Sequence, residues 1–366
     1  TRLLLSLMWC ACGQGATAET RLGGLTRTCE ASTVTSVLPF QDNVYAQLLM
    51  RTVTGSIYPE ETFPDAYVND NFPKQPYNFE KRQYGLDFPG VGHTMVGWVR
   101  LQNLYDALRT CILEGVKGDF LEAGVWRGGA SIFAAGVLRE MGCLGAHDQL
   151  RAQTHTQRHT DTHTYTHARI PVSGSIGGGC GMDVWVCDSF QGFEPNPWDG
   201  DNDFVKLNPI VAVSEEQVRS NFERYQLSRY LDKSIHFVKG FFADSLPHLH
   251  QVKAISVLRM DGDLFSSTSD ILYNLYNKVA LGGFIIVDDY SIKACASAVD
   301  SFRDLHDISD PLIEIDPHSR AVYWRKTQQV EIVLDIYERY TFVRSRGADS
   351  EDGDEHGGDD DSAGEG

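Results

Sequence analysis

The chain has 366 residues, 42% of them hydrophobic, and a formal net charge of -18. This is enough for one large α/β core with additions. Nine Asp and Glu and no Lys or Arg fall in residues 347–366. The remainder is still acidic and has no basic stripe interleaved with aromatics, which argues against a nucleic-acid groove and for a small-molecule partner. No run approaches roughly eighteen apolar residues, so a membrane-spanning helix is excluded.

Leu3 to Ala18 joins a short apolar run to small residues. It fits a clipped signal or transit segment and a non-native fragment end equally well, so residues 1–40 stay a poorly defined N-terminal segment. A cytoplasmic location is expected unless that segment is a targeting signal. Val44 to Arg51 is predicted helical, and Tyr58 to Tyr84 is a loop rich in Pro and aromatics. His93 to Leu113 is an amphipathic helix with Met95, Val99, Leu101, Leu104, Leu108 and Ile112 on one side. Residues 41–115 thus form a helical and lid region ahead of a core at 116–328.

Strands are predicted at Asp119–Glu122, Asp183–Cys187, Ile235–Val238, Ile255–Met260 and Gly283–Asp288. Helices follow at Ala130–Met141, Ser214–Tyr225, Ala243–His250, Ser267–Val279 and Lys293–Leu305. This alternation is the signature of a mostly parallel sheet covered on both faces. Leu312–Ile315 and Ala321–Trp324 form a closing antiparallel hairpin around Asp316-Pro317-His318-Ser319. The fold class is therefore a Rossmann-like α/β domain with seven strands, the last antiparallel. Residues 329–346 are a C-terminal extension, and Asp349 to Gly366 lacks any apolar residue larger than Ala, as a disordered acidic tail does.

Ala146 to Gly181 interrupts the core where a βα connection needs only a few residues. His155, His159, His163 and His167 recur every fourth residue, which on a helix would make a metal-binding stripe. Thr is a poor helix former, however, and Thr/His alternation is what a translated dinucleotide repeat produces. The segment reads as a low-complexity insertion, and deleting 146–180 is expected to leave fold and activity intact. Cys10, Cys12, Cys29, Cys111, Cys143, Cys180, Cys187 and Cys295 show neither paired nor regular spacing, so reduced thiols are expected.

Five segments carry chemistry. Phe120-Leu-Glu-Ala-Gly-Val-Trp-Arg-Gly-Gly is a strand ending in Glu122 that turns through Gly124, Gly128 and Gly129 into a helix. Glycine lets the backbone approach a ligand, and the helix N-terminus offers free amides. At the next strand end Asp188, with Ser189 beside it, is placed to accept from ribose hydroxyls. A helix cap would look alike, but Gln191 to Glu194 continues as loop. After the third strand, Phe242 and Asp244 lie where an adenine would stack and donate its amino group, although an ordinary N-terminal helix acid fits Asp244 almost as well.

Finally, Arg259-Met-Asp-Gly-Asp and Ile286-Val-Asp-Asp-Tyr bring three or four carboxylates to one sheet edge. They would repel one another unless a hard divalent cation, most simply Mg²⁺, joined them. Such an ion holds substrate oxygens and lowers a hydroxyl's pKa. Separate helix caps would explain one of these acids and not three.

With Val184-Trp-Val-Cys-Asp-Ser-Phe-Gln-Gly-Phe and Val213-Ser-Glu-Glu-Gln-Val added, these motifs resemble the macrocin O-methyltransferases over roughly Val44 to Lys326. The resemblance implies S-adenosylmethionine as methyl donor, required Mg²⁺, a small-molecule hydroxyl acceptor such as a sugar, and a homo-oligomer. By position it maps metal ligands onto Asp261, Asp288 and Asp289, and cofactor contacts onto Glu122 and Asp188. It also maps the segment covering the cofactor onto Thr94 and Met95. One departure stands out: the resemblance implies a His base before Val213, yet no His lies between Asp188 and His236, and Lys206 takes roughly that place. Two rivals remain, a non-catalytic S-adenosylmethionine-binding protein of the same fold and, more weakly, a nicotinamide dehydrogenase.

Overall fold

The computed structural model describes residues 37–58, 62–63, 75–145, 180–193, 206, 208–335 and 337–338. The expectations for residues 1–36, for the Thr/His repeat and for the acidic tail lie outside the described residues. The core strands are β3 (Asp119–Ala123), β4 (Val184–Asp188), β5 (Ile235–Lys239), β6 (Ile255–Met260), β7 (Val279–Val287), β8 (Ile313–Glu314) and β9 (Val322–Arg325). They form one sheet in the order β5-β4-β3-β6-β7-β9-β8. Pairing is parallel from β5 to β7, and the hairpin β8–β9 closes the edge antiparallel. The predicted Rossmann-like architecture is the one observed.

Side chains alternate across the sheet, as strand geometry requires. Phe120, Val184, Val186 and Val257 enter one apolar layer with α1 (Val44–Val53), α3 (Trp98–Glu114) and α4 (Gly129–Glu140). Leu121, Trp185, Leu258 and Ile285 enter the other with α8 (Phe265–Leu275) and α9 (Lys293–Leu305). Because α4 touches α1, α3 and β4, every residue from Gly129 to Leu138 is buried.

Differences from the sequence reading have local causes. The helix expected from His93 starts only at Trp98, because the His93 carbonyl accepts from Gly129 N–H instead of from a helical amide. The Pro-rich loop contains β1 (Thr62–Phe63) and α2 (Phe79–Tyr84), with β1 antiparallel to β2 (Phe88–Pro89). Asn208–Val211 (α5) and Glu215–Arg224 (α6) precede β5, with Ser214 capping α6 by accepting from Gln217 N–H. The helix expected to reach His250 is only Phe242–Ser245 (α7), since Pro247 has no N–H to continue it. β7 begins at Val279, not Gly283: Gly282, at φ +83, sits next to an irregularity in the pairing with β6 instead of ending the strand.

The expectation of reduced thiols is corrected at one pair, since Cys143 and Cys180 form a disulfide at a Cα separation of 5.1 Å. Cys111, Cys187 and Cys295 are free and buried. Cys143 precedes the predicted insertion and Cys180 lies near its end, so a deletion that keeps the disulfide has to stop short of Cys180. Among the described residues no helix is long and apolar enough to cross a membrane.

Candidate active site

The ends of β3, β4, β6 and β7 meet at one edge of the sheet, where open α/β sheets bind ligands. There β3 runs into Gly124 at φ +88, and a Cβ on that residue would collide with the Asp261 carbonyl oxygen. Gly124→Ala combines this clash with a disfavoured backbone. We expect it to cost at least about 4 kcal/mol, read as a fall in urea midpoint at unchanged slope. An unchanged midpoint would show that the loop relaxes without penalty.

Trp126, at φ 48, donates from Nε1 to the Ile210 carbonyl at 2.9 Å. Gly128, at φ +84, ends the loop against α6, where a Cβ would lie 2.7 Å from Val218. Arg127 donates to the carbonyls of Pro89, Gly90 and Gly92, tying the loop to the N-terminal region.

A cavity opens over this loop, and Met95, Gly124, Asp188, Ser189 and Phe242 all line it. Asp188 accepts from Val125 N–H at 2.8 Å and from Phe190 N–H at 2.7 Å, so its carboxylate braces the glycine loop as well as facing the cavity. Ser189 donates to the Gly192 carbonyl at 2.7 Å. Thr94 is buried beside the cavity and accepts from Val96 N–H, which shapes the turn that aims Met95 inward. Gly128 shapes the loop without lining the cavity, and Asp244 is exposed outside its wall. Lys206 is exposed and outside the wall as well.

Glu122 is likewise not in the wall. It is 1% exposed, accepts from Ser131 Oγ, and pairs with Arg259 Nη1 at 2.7 Å. Burial, opposed by Arg259, pushes its carboxyl up to about 7. A folded-state pKa above the unfolded one means the folded chain binds the proton more tightly. This group therefore adds stability below about pH 4.5, and that contribution fades as pH rises through about 7. Glu122→Gln should flatten the urea-midpoint profile of chelated protein over that window. A profile as steep as the wild type's would remove Glu122 as its source.

The acids at the ends of β6 and β7 divide into two sets. Asp261, Asp263 and Asp289 each offer a carboxylate oxygen, and these oxygens lie within 4.8 Å of one another. Burial and mutual repulsion hold the carboxyls of Asp263, pushed up to about 8, and Asp289 above the usual carboxylate range. Three converging oxygens that resist ionising together are the donor set a hard divalent cation satisfies. Asp288 belongs to the other set: Arg100 pairs with its Oδ2, and Arg259 Nη2 is 2.6 Å from its Oδ1. Arg259 also reaches Asp261 at 2.8 Å, so one buried guanidinium holds Glu122, Asp261 and Asp288 together.

Several residues of this site carried no role in the sequence reading. Arg259 is the only charged residue in the buried strand Ile255–Met260, a signal available in the sequence. Arg100 and Asp288 are 188 positions apart, and nothing local announces their pairing. Asp270 lines the cavity from the interior of α8, and Asp263, which the sequence reading counted only among the converging acids, lines it from a left-handed turn at φ 56.

The model of the Macrocin-O-methyltransferase (TylF) family matches residues 43–149 and 176–326, skipping most of the predicted insertion. The chain is 38% identical over 291 residues to mycinamicin III 3''-O-methyltransferase of Micromonospora griseorubida, covering 78% of this chain and 96% of that protein. It is also 38% identical over 292 residues to demethyldecarbamoylnovobiocin O-methyltransferase of Streptomyces niveus, covering 78% and 94%. The solved structure of the O-methyltransferase NovP is similar with a TM-score of 0.59 at 37% identity, covering 78% of this chain and 98% of that one.

Proposed function

The chain belongs to the macrocin O-methyltransferase family, and we propose on that premise that it moves a methyl group from S-adenosylmethionine to a hydroxyl of a sugar-bearing or related natural product, with Mg²⁺ required. The observation that carries this reading is the carboxylate group of Asp261, Asp263 and Asp289 at the rim of a cavity floored by Gly124 and walled by Asp188. When bound, the methyl donor supplies an electrophilic sulfonium methyl. The cation would supply positive charge that holds acceptor oxygens and lowers the hydroxyl's pKa.

The protein's own residues do the rest. Asp188 faces the cavity with lone pairs left for ribose hydroxyls after bracing the loop. Phe241 and Phe242 provide apolar faces for a planar base, and Met95 covers the cavity from the N-terminal region. Asp261 and Asp289 are the residues we assign to the cation. Arg100 and Arg259 neutralise and orient Asp288 behind them. Asp263 adjoins the pair and lines the cavity, and we assign it the acceptor's proton in place of the exposed Lys206.

Incubating the chain with labelled methyl donor, Mg²⁺ and a panel of deoxysugar glycosides should yield a labelled methyl ether, identified by mass spectrometry. Binding of donor and Mg²⁺ without transfer to any hydroxyl in the panel or in a glycoside-rich extract would favour the non-catalytic rival. Binding of NAD in its place would favour the dehydrogenase.

A further inference from the structure

Asp270 lies in the interior of α8 and is 1% exposed, yet it forms part of the cavity wall. A buried carboxylate needs donors to offset its lost hydration. One comes from far along the chain: the Tyr337 hydroxyl donates to Asp270 Oδ1 at 2.9 Å while accepting from Asn274 Nδ2 at 3.1 Å. The Tyr337 ring stacks on Tyr273, with centroids 4.7 Å apart and planes 13° apart. Upstream, Val333 N–H donates to His306 Nε2 at 3.0 Å, and Val330 and Ile332 pack on the core. The described part of the C-terminal extension is thus fastened along α8 and α9, and its Tyr337 fixes the orientation of one carboxylate in the cavity.

The same end of the cavity carries Phe241 and Phe242, because α7 packs against α8. Aromatic faces with a buried carboxylate at their edge suit a planar heteroaromatic ring bearing an N–H₂ donor. On the reading that the cavity takes S-adenosylmethionine, we propose that Asp270 accepts from the 6-amino group of its adenine and that Tyr337 is the positioning residue that aims Asp270. The C-terminal extension then completes the cofactor site. Asp244, given the amino-accepting role by sequence alone, is exposed outside this wall.

Calorimetry on the full chain tests this with two ligands, S-adenosylhomocysteine and S-inosylhomocysteine, in which an oxo group replaces the amino group. Wild type should prefer the adenosyl compound by roughly 10- to 100-fold, the range for a hydrogen bond to a charged group. Asp270→Asn should bring the preference close to unity, because an amide can donate to the oxo group. Tyr337→Phe keeps the ring stack and loses only the hydroxyl; it should reduce the preference several-fold, and it carries the test if Asp270→Asn does not fold. A merely structural role for Tyr337 would lower the urea midpoint and leave the preference intact. Wild-type binding without preference, or wild-type preference retained in the folded variants, overturns the inference alone. If wild type binds neither ligand, the cofactor reading fails and the inference with it.

Discussion

Arg259→Met is expected to lose about 3–5 kcal/mol of stability, because it removes one guanidinium and leaves Glu122, Asp261 and Asp288 without their shared partner. Methionine fills much of the volume, so the loss reports uncompensated charge and not a cavity. The pH dependence separates the two: buried carboxyls deprived of their cation bind protons more tightly than in the unfolded chain. The variant should therefore regain stability as pH falls from 8 toward 5, and the gap to wild type should narrow. Urea titrations at several pH values measure this directly. A deficit constant with pH would mean that packing, and not charge, sets the role of Arg259.

Asp289→Ala should reduce Mg²⁺-dependent methyl transfer by at least about 100-fold while leaving S-adenosylhomocysteine binding near wild type. Asp289 is absent from the cavity wall, whereas its carboxylate is within 4.8 Å of the other two. In chelator the same variant should be more stable than wild type. Its carboxyl is held above the ordinary range by burial and by Asp263, Asp261 and Asp288, so deleting it relieves repulsion. Higher stability with lost activity is the pattern of a site strained for function. Full activity of this variant in chelator would remove the cation from the mechanism, and an unchanged chelated stability would remove the repulsion.

Much of this was legible in the sequence because it is local. Strand–helix alternation, apolar runs such as Ile255–Met260 and the closing hairpin each depend on residues a few positions apart, and they determined the fold class. The glycine spacing of Gly124, Gly128 and Gly129 likewise announced a tight turn into a helix, and a Cβ at any of the three meets a neighbouring group. Carboxylates at two successive strand ends pointed to a cation site, since parallel strands bring their C-terminal ends to one edge.

What the sequence could not decide is which groups face one another across that edge. Asp288 and Asp289 are neighbours in the chain, yet one turns back to Arg100 and Arg259 and the other joins Asp261 and Asp263. Adjacent residues leaving a strand point to opposite sides, so only the packed sheet assigns each carboxylate its partners. For the same reason Glu122 turns into the core as the counter-charge of Arg259, and Asp270 enters the cavity wall under the hydroxyl of Tyr337. Composition and periodicity established an acidic, glycine-turned Rossmann-like domain, and the resemblance of its motifs implied the activity; which of its acids pair with the two buried arginines was set by tertiary contact alone.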